Sequence, residues 1–140
     1  MSFLHHIDLT VTDPKRARPL YDLVLTHAGF TSKGHGEDWA GWGLGGKRYP
    51  CVTLLKAKGK NGARKHDRYS AGLHHLALAA KSRADVNALY KKLVAFGATI
   101  LDAPAEYPEY GAGYYAVFFA DPDGLKLEYA WTPAPNRVRD

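Results

Sequence analysis

The sequence predicts an α+β fold made of two tandem βαβββ modules that share one cleft. Three observations lead there. First, Phe3 to Val11 (FLHHIDLTV) returns as Gly72 to Ala80 (GLHHLALAA), at an offset of 69 residues that also aligns Leu20 with Leu89, Tyr21 with Tyr90 and Val24 with Leu93 without a gap. Second, both copies open with apolar residues at every other position, Ile7, Leu9 and Val11 or Leu76, Leu78 and Ala80, the period of a half-buried strand. Third, each alternating run is followed by a helix signal and then by short runs rich in β-branched or aromatic residues.

The elements follow in order. Asp13 and Ser82 are suited to cap helix N-termini, with Pro14 at the first helical position. Leu20, Val24 and Leu25, and in the second copy Val86, Leu89 and Leu93, recur at three- and four-residue spacing, which gives each helix an apolar stripe. Gly29 and Gly97 mark the stops, and Pro19 predicts a late start or a bend in the first helix. Strands are predicted at residues 39–44 and 51–55, with a weaker one at 31–33, and in the second copy at 98–101, 114–120 and 125–131. The last two are joined by the turn Asp121-Pro-Asp-Gly124, where both aspartates are expected to make local hydrogen bonds.

These boundaries describe a single domain over residues 1–140, with module one at 3–56, a basic linker at 57–71 and module two at 72–132. A chain of 140 residues, 46% hydrophobic, can bury one proper core but not two ordinary independent domains. The net charge of +5 favours an anionic small molecule over a cation, and much of it lies in Lys56 to Arg68, a glycine-containing run that reads as a solvated linker. No nucleic-acid partner is expected, since that run lacks interleaved aromatics. Cys51 is the single cysteine, which excludes an internal disulfide and a cysteine-based zinc cluster. With no signal-peptide pattern and no long apolar run, the expectation is a cytoplasmic protein without a membrane partner.

A sheet covered by a helix on one face gains by turning its bare face toward its duplicate. Pleat alternation then lines the cleft with His6, Asp8 and Thr10 and with His75, Ala77 and Ala79, because the aliphatic neighbours are needed beneath the helices. In the last strand Leu127 and Tyr129 share a face and Glu128 takes the other, so two imidazoles and one carboxylate are expected to converge. Such a set can hold a divalent transition metal and leave positions open for substrate. Trp39, Trp42 and Tyr110 are expected to wall the cleft against a small organic substrate, and Tyr115 and Asp8 are the candidate catalytic acid–base residues. His5 and His74 point the other way and read as structural; the glycines at 41, 43, 45 and 46 read as sites of curvature or close ligand approach.

The segments His6 to Asp13, His75 to Ala79 and, above all, Tyr115 to Glu128 (YAVFFADPDGLKLE) carry a resemblance to the vicinal oxygen chelate superfamily, the glyoxalase/bleomycin-resistance/dioxygenase group. It covers residues 3 to 132. The resemblance implies a glyoxalase-like fold, a curved sheet or half-barrel around the cleft, and metal ligands at His6, His75 and Glu128 for a divalent ion such as zinc, manganese, iron or nickel, with metal-free relatives also known. Glyoxalase I draws a fourth ligand from the other module, but Cys51, Thr53 and Leu55 offer no carboxylate or amide there, so three ligands resemble a transferase or an extradiol dioxygenase more closely. Two functions follow: a metal-dependent lyase, transferase or dioxygenase, or a metal-free protein that sequesters a drug or metabolite. The linker is long enough for pairing of modules within one chain or between two chains of a homodimer.

Overall fold

The computed structural model describes residues 3–133. Its order is β1 (His6–Val11), α1 (Pro14–His27), β2 (Phe30–His35), β3 (Trp39–Leu44), β4 (Cys51–Lys56), then β5 (His75–Ala79), α2 (Arg83–Phe96), β6 (Thr99–Glu106), β7 (Tyr115–Ala120) and β8 (Lys126–Trp131). The α+β class and the doubled βαβββ order are both present. The described residues form two compact units, the first running to Asp67 and including Asp121–Gly124, the second comprising Arg68–Ala120 and residues 125–133. No helix among the described residues is long and apolar enough to cross a membrane.

Each unit holds a four-stranded sheet of the same topology, β1-β4-β3-β2 and β5-β8-β7-β6. The opening strand pairs in parallel with the last strand, and the other pairings are antiparallel. A parallel neighbour requires a crossover, and the helix that makes it lands on one face of the sheet. In unit one that face buries Leu9, Val11, Val52, Leu54, Ala40 and Trp42 against Ala17, Leu20, Tyr21, Val24 and Leu25 of α1. In unit two Val86, Leu89 and Leu93 of α2 lie over Val117, Phe119, Leu127 and Tyr129, all nearly inaccessible.

The helix ends obey their caps. Asp13 accepts from the Lys15 amide at 3.0 Å, and α1 begins at Pro14 with no late start, because Pro19 sits on the solvent side where the carbonyl it leaves unpaired can be hydrated. Ser82 accepts from the Asp85 amide at 3.0 Å while Asp85 reaches back to the Lys81 amide at 2.9 Å, a reciprocal cap. Gly97 closes α2 at φ +85, a left-handed conformation that disfavours any side chain. β6 extends to Glu106, five residues beyond its predicted end, with register shifts along its pairing with β7. Register shifts of that kind let a strand continue where simple alternation fails.

The turn after β7 does more than the local bonding expected of it. Locally, the Asp123 amide donates to Asp121 Oδ1 at 2.9 Å. Asp123 also accepts from the Thr12 amide at 2.7 Å, the Thr12 hydroxyl at 2.5 Å and Arg16 at 3.1 Å, and Asp121 accepts from the Tyr21 hydroxyl at 2.7 Å. These buried carboxylates tie the turn to the start of α1. Burial and then the charge of Asp121 push the Tyr21 pKa far up, so its phenol is a fixed donor. Tyr21→Phe should lower the unfolding free energy by about 1–2 kcal/mol, the cost of withdrawing one partner from a buried carboxylate, read as a lower urea midpoint at unchanged slope.

Candidate functional site

In unit two the face of the sheet away from α2 gathers the chemistry. Parallel pairing sets Ala77 of β5 beside Glu128 of β8, and antiparallel pairing sets Phe118 of β7 on its other side. Ala77 is too small to fill the space above it, so the His75 ring, two residues back on the same face, reaches across. Its Nε2 lies 3.0 Å from Glu128 Oε1. Glu128 Oε2 accepts from the Tyr114 hydroxyl. Glu128 is only 3% exposed, and a carboxylate at that depth needs both partners.

Aromatic rings surround the pair. Phe118 stands edge-on to His75 at 6.4 Å and to Tyr107 at 5.3 Å, Tyr107 stacks on Tyr110 at 5.8 Å, and Tyr110 meets Tyr114 at 5.5 Å. The Lys126 ammonium lies 4.4 Å from the Phe118 ring centre. A short 3₁₀ turn at Pro108–Tyr110 carries Tyr110, and the Tyr107 amide donates to the Tyr114 carbonyl at 2.9 Å, closing the loop that positions both tyrosines. Burial, then the hydrogen bond to Glu128, raises the Tyr114 pKa well above the ordinary phenol value; burial, then Asp102, raises that of Tyr107.

Unit one repeats the pattern with different residues. Its face away from α1 carries His6, Asp8 and Thr10 of β1, Cys51, Thr53 and Leu55 of β4, and Trp39 of β3. Thr53 therefore takes the register position that Glu128 holds in unit two, and Asp8 the position of Ala77. Asp8 is exposed and makes no hydrogen bond among the described residues. The paired histidines behave alike in both units: Nδ1 of His5 lies 2.8 Å from Nδ1 of His6, and Nδ1 of His74 lies 2.8 Å from Nδ1 of His75. One ring nitrogen of each pair must donate to the other, so the upstream histidine fixes how its neighbour presents Nε2.

Within either unit, among the described residues, no three His, Cys, Asp or Glu side chains are grouped to hold a metal ion. The structure brings together His75 and Glu128 of the expected ligands, and places His6 at the matching position of unit one. Three other expectations need correction. Tyr115 does not share a face with Glu128: its hydroxyl donates to Asn87 on α2 at 2.6 Å, and Arg83 of α2 covers its ring. Tyr114, one residue earlier, holds the position assigned to it. Trp42 is no wall of an open face; it is 1% exposed, and its indole N–H donates to Asp22 of α1 at 2.9 Å. Trp39 does lie on the open face, yet two of the glycines read as sites of close ligand approach meet the chain itself: a Cβ on Gly41 would stand 3.5 Å from the Trp39 ring and one on Gly43 1.8 Å from the Lys47 carbonyl oxygen. Tyr110, 62% exposed, does stand in the aromatic wall, stacked on Tyr107.

This geometry, two histidine-led sheets with a glutamate on the final strand after an Asp-Pro-Asp-Gly turn, is matched by the family model of the Glyoxalase/Bleomycin resistance protein/Dioxygenase superfamily over residues 3–129. The chain belongs to that superfamily. Among its relatives, the uncharacterised protein YqjT of Bacillus subtilis is 30% identical over 128 residues, covering 89% of this chain and 95% of that protein. A proposed glyoxalase of Bacillus halodurans is 25% identical, with 94% of this chain and 97% of that chain covered at a TM-score of 0.77. A lactoylglutathione lyase of Agrobacterium tumefaciens, 19% identical with 94% of each chain covered and a TM-score of 0.63, shares the fold.

The raised Tyr114 pKa has a definite sign. The folded superfamily member holds the phenol proton more tightly than the unfolded chain, so this stabilisation is whole below the unfolded value of about 10 and is lost as pH climbs through the folded one. Tyr114→Phe should remove one late-ionising phenol from an alkaline absorbance titration and flatten the fall in stability above about pH 10.

Proposed function

We propose that the chain is a divalent-metal-dependent enzyme acting on a small, oxygen-bearing, anionic substrate. The ligands of this proposal are His75 and Glu128, together with His6. The observation that carries this is the approach of His75 Nε2 to Glu128 Oε1 at 3.0 Å on an aromatic-walled sheet face, a nitrogen–oxygen donor pair suited to zinc, manganese, iron or nickel. Bound there, the ion would act as a Lewis acid toward substrate oxygens.

The chain's own groups prepare that site. The Tyr114 hydroxyl fixes Glu128 Oε2 and so orients the remaining oxygen toward His75. His74 orients the His75 ring through Nδ1. Tyr107, Tyr110 and Phe118 exclude water from one side of the carboxylate and give a flat substrate a surface to lie on. Asp8, exposed and without a hydrogen-bond partner among the described residues, is the carboxylate proposed to take or give a proton. The reaction class is that of a lyase, transferase or extradiol-type dioxygenase, as the superfamily resemblance implies. The buried free thiol of Cys51 suits a reducing, cytoplasmic setting.

One observation favours a second reading. Both Glu128 oxygens already have protein partners, so this face is satisfied without an ion and could sequester an aromatic metabolite or drug by its ring wall. Metal analysis decides between them. Protein purified without added metal should carry a stoichiometric divalent ion, and His75→Ala and Glu128→Ala should each lower its content or affinity by about tenfold or more, the loss typical of a removed ligand or its close support. Equal metal content in wild type and both variants would reject the enzyme reading; ligand binding that survives chelation without turnover would establish the other.

A further inference from the structure

We propose that Lys33 and Arg48, arranged around the ring of Tyr49 in unit one, form an oxyanion-binding subsite that holds the carboxylate or phosphate of the substrate. Lys33 Nζ lies 5.2 Å from the Tyr49 ring centre and the Arg48 guanidinium carbon 5.9 Å from it. Two like charges held around one ring repel each other unless a counter-charge joins them. None does: among the described residues neither side chain is ion-paired with a carboxylate, and Lys47 beside them is likewise unpaired. All three basic residues are exposed.

The arrangement is built rather than casual. Lys33 Nζ donates to the Arg48 carbonyl at 3.1 Å, which ties β2 to the loop between β3 and β4. That loop is turned back by the Leu44 amide donating to the Pro50 carbonyl at 2.9 Å and the Lys47 amide to the Leu44 carbonyl at 3.1 Å. It passes so close over β3 that a Cβ on Gly43 would lie 1.8 Å from the Lys47 carbonyl oxygen, so glycine there is a condition of the loop's path. At the other end the Tyr49 ring stacks on His5 at 4.0 Å, and His5 is bonded to His6. The cations thus surround a ring whose centre lies 6.3 Å from that of His6, the histidine that the proposed function uses, and a small molecule whose oxygen atoms reach His6 would carry its anionic group to Lys33 and Arg48. Assigning this group to the same substrate rests on the proposed function; binding of the anion does not.

The test uses the full ¹⁵N-labelled chain titrated with phenyl phosphate and with benzoate, and with phenol as the neutral control. Saturable amide shifts at residues 33 and 47–49 and at His5 are expected with one or both anions, the preferred one identifying phosphate or carboxylate, and none with phenol. Lys33→Ala/Arg48→Ala should raise Kd about tenfold, the effect of removing two exposed charge contacts to one anion, and added salt should weaken binding in the wild type. Lys58→Ala/Lys60→Ala should leave Kd unchanged. Glu128→Ala should still bind the anions, so failure of the metal site and failure of this subsite are read separately. Shifts confined to residues 56–68, an unchanged Kd in the Lys33/Arg48 variant, or equal binding of phenol would overturn the subsite.

Discussion

A strand beneath a single covering helix can bury only every second side chain, and this pleat constraint governs both units. Leu9 and Val11 go under α1, and Leu127 and Tyr129 under α2. His6 and Asp8, and in unit two His75 and Glu128, are left to the other face. A slip of one residue in the pairing of β5 with β8 would send Glu128 into the apolar layer and bring Tyr129 out, at the cost of a buried charge and an exposed aromatic together. The register is therefore specified from both sides of the sheet, and the same specification places the imidazole beside the carboxylate.

The parts of the molecule that this constraint controls were legible in the sequence. Helix caps, the doubled topology, and the His75–Glu128 face all follow from local pattern. What escaped lies where the pattern breaks. Trp39 and Trp42 were grouped as wall residues, but three positions along a strand is an odd number, so the pleat sends them to opposite faces, and Trp42 belongs to the core. Tyr115 was preferred to Tyr114 although Tyr115 lies an even distance from Val117 and Phe119, which pack under α2. In both cases counting parity from a buried neighbour would have given the face. The lengthening of module two is different. His6 pairs with Cys51, 45 residues on, and His75 with Lys126, 51 residues on, so the fixed offset of the repeat cannot hold past the helix. The additional chain lies between α2 and β8, the stretch that holds β6, the Pro108–Tyr110 turn and the Tyr107–Tyr110 wall, and a gapless alignment has no counterpart for it.

Buried carboxylates in the two units meet the same energetic demand in different ways. Asp121 and Asp123 accept from backbone amides, a threonine hydroxyl, an arginine and a phenol, a network of fixed donors that costs stability to disturb. Glu128 has instead one phenol and one imidazole. The imidazole nitrogen facing Glu128 Oε1 is a donor in one tautomer and a lone-pair donor to a metal in the other. A brace and a site thus differ in whether the partners of the carboxylate can change role.

The divergence of the two units sharpens that distinction. Where unit two places Ala77 beside Glu128, unit one places Asp8 beside Thr53, so the carboxylate moves from the final strand to the histidine's own strand. There it is exposed, without a hydrogen-bond partner among the described residues, two residues from His6 along one strand and so about 7 Å away. Among the described residues Asp8 makes no bond to His6 of the kind that joins His75 to Glu128. Across the same face, unit one lacks the tyrosine wall of unit two and carries Lys33 and Arg48 around Tyr49. Duplication supplied two frames of one topology, and substitution on the face that the helices leave free gave one frame an imidazole–carboxylate pair and the other two exposed cations around a tyrosine ring.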